Sequence, residues 1–242
     1  MTKKVIIIIV EGPSDEALLG EHLKQKYKNQ LIKFDVKHGD IFFNPETNRE
    51  SIKNTIGNNI KSIIQKQKYK KSDILAIMHI LDTDGCFIDE GHIEIKKNQQ
   101  SKTLYNSDSI SVDCEKQKKY ILGRNKIRSV SIKTMNSIDR VVGKQYYYQL
   151  FYFSRTMEHV IFNEANPQTE TKCSDIEKFV SSLTISLEDY LSKYLPTFTT
   201  NTYSDKYKES WVFIEQETKS LKRYTNVPLL FQAIDTKVSE IK

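Results

Sequence analysis

A run of six β-branched residues, Val5 to Val10, begins the hydrophobic pattern of the chain and is followed at once by residues 11–16 (EGPSDE). A strand that is apolar at every position is buried on both faces, which is typical of a central strand in a parallel sheet. A second run of this kind, Ile74 to Leu81, ends in residues 82–85 (DTDG). The pattern therefore predicts two central strands, each followed by acidic residues at its carboxyl end.

Between and after these strands the apolar positions recur at helical spacing. We predict helices over residues 14–27, 51–68 and 155–163, a short strand over residues 32–36 and an aromatic strand over residues 146–153. The order β-α-β-α-β favours parallel strands with right-handed crossovers. The predicted fold class is therefore α/β, with a mostly parallel sheet flanked by helices.

The remaining segments predict an insertion and a helical C-terminal lobe. Residues 1–165 form the predicted α/β domain, which contains a basic insertion at about residues 87–145, and residues 166–242 form the predicted lobe. Within the insertion we expect a basic helix from Cys114 to Leu122, ending at Gly123, and a short strand from Arg128 to Ile132. The boundary near Asn166-Pro167 is a prediction from its small polar residues.

The charge of the chain is concentrated in one segment. The chain has 242 residues and a net charge of +6, but residues 96–144 contain 12 Lys or Arg against 4 Asp or Glu. A basic segment beside acidic strand ends suits a polyanionic partner, although a solvated basic surface is an alternative. The three cysteines are widely spaced and no apolar run approaches the length of a membrane span, so we expect a cytoplasmic protein outside the membrane.

The acidic residues after the two central strands suggest a metal site. Asp82 and Asp84 are two residues apart, so their side chains point to the same side of an extended chain, and Gly85 allows a turn after them. Glu11, at the end of the other strand, is a candidate third ligand. Carboxylate oxygens are the ligands that Mg²⁺ prefers. The alternative is that the aspartates only bond backbone amides in a turn.

These residues resemble the Toprim fold. The resemblance rests on residues 10–12 (VEG) with residues 14–16 (SDE), and on residues 81–85 (LDTDG) after the third strand; it covers about residues 4–165. Topoisomerases, bacterial primases, small ribonucleases and the nucleases of the overcoming-lysogenization-defect (OLD) family share this fold. Position 86 is Cys, so the third alternating acid of topoisomerases is missing, and the stand-alone OLD-type nucleases are the nearest pattern.

The resemblance implies roles for particular residues. Glu11 would act in acid/base catalysis or metal binding, and Asp82 and Asp84 would hold Mg²⁺ or Mn²⁺. The OLD-type pattern adds Asp15 and Glu158 as metal ligands, although either acid could instead belong to a helix start.

The predicted activity is cleavage of DNA or RNA phosphodiester bonds with one or two such ions. Lys144, Arg155 and Arg140 are the candidates for stabilising transition-state charge. Many stand-alone relatives of this type act in prokaryotic anti-phage defence, often beside an ATPase. The absence of a P-loop in this chain leaves room for a separate ATPase subunit, and the helical lobe could form a homodimer surface.

Six basic residues with an interleaved aromatic, Tyr120, form the predicted nucleic-acid surface: Lys116, Lys118, Lys119, Arg124, Lys126 and Arg128. Two other functions stay open at this point. One is a catalytically silent nucleic-acid-binding or scaffold subunit of a defence complex, and the other is a ribonuclease that matures one structured RNA. His79 lies inside a predicted buried strand and is expected to be a core histidine.

Overall fold

The computed structural model describes residues 4–29, 32–38, 41–42, 49–166 and 172–241. The strands are Lys4–Val10 (β1), Ile32–His38 (β2), Ile74–Asp82 (β3), Ile93–Ile95 (β4), Thr103–Tyr105 (β5), Ile110–Val112 (β6), Arg140–Val141 (β7) and Tyr146–Phe153 (β8). The α-helices are Pro13–Lys26 (α1), Arg49–Gln67 (α2), Glu115–Asn136 (α3), Met157–Phe162 (α4), Lys172–Ser182 (α5), Leu187–Ser192 (α6), Tyr203–Ile214 (α7) and Val227–Ser239 (α8).

The main sheet has five strands in the order β2-β1-β3-β8-β7. The first four are parallel, and only the two-residue strand β7 is antiparallel to its neighbour. Because β1 and β3 lie in the middle, their apolar residues are covered on both faces, as the runs of Ile and Val predicted. The α/β class and the mostly parallel sheet flanked by helices are confirmed.

The alternating residues of β1 separate the two cores of the protein. Ile6, Ile8 and Val10 pack in a cluster with α1 and α8, whereas Ile7 and Ile9 pack in a second cluster with the isoleucine stripe of α2. All five side chains are fully buried. Since burying one such side chain contributes about 1.5–3 kcal/mol, this strand is a main source of stability.

The insertion forms a second, smaller layer. Strands β4, β6 and β5 make a three-stranded sheet that packs beside α3. The helix α3 has 22 residues, so the predictions that it ends at Gly123 and that a strand spans Arg128 to Ile132 are wrong. Gly123 has no neighbouring atom within 4 Å of an added Cβ, and the helix continues through it.

The C-terminal helices pack directly on the sheet. Leu229, Phe231 and Ile234 of α8 belong to the same apolar cluster as β1 and β3. Asn226 accepts a hydrogen bond from the backbone N–H of Tyr152 at 2.8 Å, which ties the start of α8 to β8. Pro167, part of the predicted boundary, lies outside the described residues.

A helix that spans a bilayer needs about 20 predominantly apolar residues. Within the described ranges, no helix is both long enough and apolar enough to cross a bilayer.

Candidate carboxylate site

The ends of β1 and β3 bring Glu11 against Asp82. These strands are parallel neighbours, so their carboxyl ends lie at the same edge of the sheet. The backbone N–H of Asp82 donates a hydrogen bond to Glu11 Oε1 at 3.1 Å. Glu11 therefore points toward the Asp82-Thr83-Asp84 segment rather than away from it, as the metal-site prediction requires.

Two more acidic residues approach from the helices that follow β1 and β8. Asp15 lies in the first turn of α1, and its Oδ2 accepts the backbone N–H of Gly12 at 2.9 Å. Glu158 lies in the first turn of α4, and both side chains are buried. The backbone N–H of Met157 donates to Asp82 Oδ1 at 3.0 Å, so the start of α4 is held at the end of β3.

The pKa of Asp82 reports the crowding of these acids. Burial raises the pKa of Asp82 well above its ordinary value, and the charges of Glu11, Asp15, Asp84 and Glu158 raise it further. Like charges disfavour ionisation of a neighbouring carboxyl group. The four other predicted metal ligands therefore lie close enough to Asp82 for their charges to raise its pKa.

One buried arginine from α3 connects these acids. Arg128 is 0% exposed and donates from Nη2 to Glu11 Oε1 at 2.5 Å. Its guanidinium also donates to the backbone carbonyl of Asp82, and its Nε lies 3.4 Å from Asp84 Oδ2. Arg128 is therefore an internal counter-ion that bridges Glu11 and Asp84.

A second arginine and a tyrosine form the wall next to Asp84. Arg124, one helical turn before Arg128, donates to the backbone carbonyl of Asp84 at 2.7 Å and to Tyr105 Oη at 2.6 Å. Tyr105 belongs to β5, so the small sheet of the insertion contributes to the site. The prediction did not include Tyr105, because nothing in its local sequence separates it from a packing residue.

Arg155 is the most unusual residue of the site. Its side chain is 1% exposed, and none of its three guanidinium nitrogens has a hydrogen-bond partner within the described part of the chain. The guanidinium lies over the Tyr105 ring at 4.5 Å, and burial lowers the pKa of Arg155 to about 10. Its backbone is in the left-handed region, with φ 61°. A buried cation without hydrogen bonds is costly unless an anion binds it.

The backbone of Arg155 fixes its place beside the acids. The N–H of Asp84 donates to the carbonyl of Arg155 at 2.9 Å, and the N–H of Arg155 donates to Thr83 Oγ1 at 2.7 Å. These bonds join the loop after β3 to the loop after β8. Hydrogen bonds therefore hold Arg155, the candidate for stabilising transition-state charge, beside the Asp82-Thr83-Asp84 segment.

Lys144 and Arg140 lie elsewhere. Asp82 pairs with Phe153 at the carboxyl end of β8, whereas Arg140 pairs with Tyr147 near its amino end, and Lys144 is in the turn between β7 and β8. The seven residue-to-residue steps of β8 place its two ends about 23 Å apart. The structure thus contradicts the prediction that Lys144 or Arg140 stabilises charge at the carboxylate site.

The predicted nucleic-acid residues divide into two groups. Lys116, Lys119 and Lys126 are exposed on α3, and Lys118 is half-buried, with its Nζ 3.7 Å from Glu90 Oε1. Arg124 and Arg128 are instead buried on the opposite side of the helix. The interpretation of these two arginines as surface phosphate contacts is therefore wrong. Their i,i+4 spacing places them on the same helical face as Ile121 and Ile132. Extending the predicted helix past Gly123 would have indicated that both arginines are buried.

The side chains of the site match the ligand preference of Mg²⁺ or Mn²⁺ in part. Five carboxylates supply the oxygen atoms that these ions prefer, and a cation would relieve their mutual repulsion. Within the described residues, however, no three acids are arranged as a ready-made metal group. Oxygen atoms of Glu11, Asp15 and Asp82 already accept protein N–H groups. The carboxylate oxygens suit Mg²⁺ or Mn²⁺. Metal binding here stays a prediction, which titration of the protein with the ion would test.

Comparisons with known proteins add no relative: no family model, no curated protein and no solved structure matches the chain. The Toprim resemblance therefore stays a prediction that depends on the residues of this chain.

Proposed function

We propose that this protein is a Mg²⁺- or Mn²⁺-dependent nuclease that hydrolyses phosphodiester bonds of DNA or RNA at the carboxylate site. The observation that carries the proposal is the combination of Asp82 and four neighbouring acidic residues with the buried guanidinium of Arg155, which has no hydrogen-bond partner among the described residues. The acids suit a divalent cation and the guanidinium suits a phosphate oxygen, so the site combines the two kinds of group that phosphodiester cleavage needs.

The residues of the chain have distinct roles in this proposal. Asp82, with Asp15, Asp84 and Glu158, would hold the cation, which when bound supplies Lewis-acid activation of water and phosphate. Glu11 is the candidate acid/base through the Toprim resemblance, and its side chain is 18% exposed, so water can reach it. Arg155 would bind a non-bridging phosphate oxygen in the buried part of the site, where electrostatic stabilisation is strongest.

The exposed lysines of α3 are the proposed track for the nucleic-acid backbone. Lys116, Lys119 and Lys126 lie on the helix whose buried face carries Arg124 and Arg128. A polyanion held by these lysines would lie along the exposed face of α3, and its affinity would fall as salt rises. A role in anti-phage defence and a separate ATPase subunit belong to the same proposal through the Toprim resemblance alone. A cytoplasmic location is proposed from the widely spaced cysteines, and a homodimer from the helical lobe.

A cleavage assay with purified protein tests the proposal. Plasmid DNA and total RNA are incubated with Mn²⁺, Mg²⁺ or EDTA and with the wild type, Asp82→Asn or Glu11→Gln. We expect metal-dependent cleavage by the wild type and a loss of at least about 100-fold in both variants. Glu21→Gln, a change at an exposed acid of α1, is the matched control and should cleave normally. Cleavage that is the same in Asp82→Asn would overturn the assignment.

A catalytically silent nucleic-acid-binding subunit is the second candidate, and Arg128 is the observation that favours it. The guanidinium already neutralises Glu11 and Asp84 without a metal ion. In that case the wild type and Asp82→Asn would bind nucleic acid equally and neither would cleave it. The same assay therefore separates the two functions.

A further inference from the structure

A second charged concavity includes the turn at the amino end of β8, the end opposite the one at the carboxylate site. It is formed by one face of α2 and by the turn between β7 and β8, and has a volume of about 310 Å³. Ligand pockets begin at about this size. Four cationic residues contribute to its lining: Lys53, Lys61, Arg140 and Lys144.

The charge of this basic pocket is uncompensated. Among the described residues, no acid lines the pocket, and none of the four cationic side chains makes a hydrogen bond or an ion pair. Elsewhere in the protein, cations such as Lys133 pair with nearby acids, in that case with Glu215 at 2.9 Å. Four like charges around one concavity repel each other, and an anion bound between them would relieve the repulsion.

The backbone that shapes the pocket is strained. Val142, Gly143 and Lys144 are consecutive and all left-handed, with φ values of 54°, 63° and 63°. A β-branched residue such as Val142 rarely adopts this conformation. Such strain is concentrated at ligand clamps and other functional sites. The turn is therefore an independent observation that points to a binding role.

The rest of the lining indicates the class of ligand. Val141 and Ile138 supply apolar surface, and the side-chain amides of Asn54 and Asn58 supply hydrogen-bond donors and acceptors. Gly57 lies between these asparagines on α2, and an added Cβ there would meet no atom within 4 Å, so the wall is open at this point. Apolar surface, amides and cations together suit an organic phosphate better than a bare inorganic ion.

We propose that the basic pocket binds a phosphorylated small molecule of nucleotide size. The lysines and Arg140 contact the phosphates, and the asparagine amides and apolar residues contact the organic part. The β7-β8 turn of this pocket lies at the amino end of β8, about 23 Å along the strand from the end at the carboxylate site. The existence of the pocket does not depend on the proposed nuclease activity.

Isothermal titration calorimetry with ATP, in EDTA so that no divalent ion is present, tests the pocket. We expect saturable binding to the wild type and an affinity at least about tenfold lower for Lys61→Glu and for Arg140→Glu. Lys66→Glu, which changes an exposed lysine of the same helix outside the pocket, is the matched control and should bind as the wild type does. Equal loss in all three variants, or no binding to the wild type, would overturn the proposal.

A steric variant and two further ligands complete the test. Gly57→Gln fills the open wall without changing charge and replaces a glycine inside a helix, so it should fold at least as well as the wild type while blocking ATP. Pyrophosphate is expected to bind more weakly than ATP. A single-stranded oligonucleotide that binds more tightly than ATP and loses affinity in Lys61→Glu would show a nucleic-acid surface instead, and would overturn the small-molecule assignment.

Discussion

At the scale of single residues, the carboxylate site is a balance between buried charges of opposite sign. Glu11 and Asp84 share Arg128, and Asp82 lies between them with a raised pKa. Removing one partner of a buried ion pair is costly because the other charge stays desolvated. Arg128 therefore holds the acids together without a metal ion, and its removal should make the protein depend on one.

Arg128→Gln tests this balance. We expect the variant to lose about 3–5 kcal/mol of unfolding free energy in EDTA, because Glu11 and Asp84 lose their counter-ion. If the site binds a cation, Mn²⁺ should then restore more stability to the variant than to the wild type. Urea unfolding in EDTA and in Mn²⁺ measures both effects. An equal response of the two proteins to Mn²⁺ would contradict a metal site at these acids.

His79 makes the free energy of unfolding depend on pH below about 6.5. It is fully buried in β3, accepts or donates one hydrogen bond with Tyr148 at 3.0 Å, and burial lowers its pKa to about 3. The unfolded chain has an ordinary histidine pKa near 6.5 and so binds more protons between these values. The stability that His79 contributes is therefore complete above about pH 6.5 and is lost as pH falls toward 3.

His79→Gln removes this titration while keeping a polar side chain in place. We expect the variant to be less stable than the wild type at pH 7 but to lose less stability between pH 7 and pH 5. Urea unfolding at the two pH values gives the comparison. A wild type and a variant with the same pH dependence would show that His79 does not titrate on unfolding.

At the scale of elements, the segments with the strongest apolar patterns were the ones whose structure could be predicted. The strands β1, β3 and β8 and the helix α1 were predictable because long apolar or periodic runs leave little choice. The acids at the strand ends were predictable for the same reason, since parallel neighbours bring their carboxyl ends together. Glu11, Asp82 and the buried acids of α1 and α4 are accordingly close in the structure.

The helix α3 shows where this reasoning failed. Gly123 suggested an end and the β-branched residues after Arg128 suggested a strand, but packing against the small sheet and α2 overrode both local preferences. Two buried arginines also interrupt its apolar stripe, so Arg124 and Arg128 resembled surface cations. The orphaned guanidinium of Arg155 could not be predicted at all, because it depends on contacts between distant elements.

The turn after β3 offers a test of local geometry. Gly85 has φ 64°, and an added Cβ would lie 2.5 Å from Leu221 Cδ2. Gly85→Ala therefore combines left-handed strain with a steric clash. Gly143→Ala is the matched control, because its φ is 63° and no atom lies within 4 Å of the added Cβ.

We expect Gly143→Ala to lose about 1–2 kcal/mol and Gly85→Ala to lose distinctly more, with reduced cleavage because the turn carries Asp84. Thermal unfolding of the two variants provides the comparison. Equal losses would mean that Leu221 moves aside at no cost.

At the scale of the whole molecule, the C-terminal helices belong to the core that supports the site. The helix α8 covers one face of the sheet, and Ser154 Oγ donates to the Lys222 carbonyl at 2.5 Å, directly before Arg155. The predicted lobe therefore contacts the carboxyl end of β8, next to Arg155. The division of the chain into two domains stays a prediction about folding units.

A chain ended at Asn166 tests that division. Without α8, the apolar face formed by Ile6, Ile8 and Met78 would be exposed to water, so we expect no cooperative unfolding transition and no cleavage. Circular dichroism during urea titration provides the measurement. A truncated chain that unfolds cooperatively would show that residues 1–166 form an independent domain.

The central claim is that acids from separate strand ends share a divalent ion. Anomalous diffraction from a crystal soaked in Mn²⁺ tests it most directly, because the signal locates the ion without reference to activity. The account predicts a strong anomalous peak within coordination distance of Asp82 and of at least one more of the acids Glu11, Asp15, Asp84 and Glu158. A fully soaked crystal in which Arg128 still bridges Glu11 and Asp84 and no peak lies near Asp82 would contradict it.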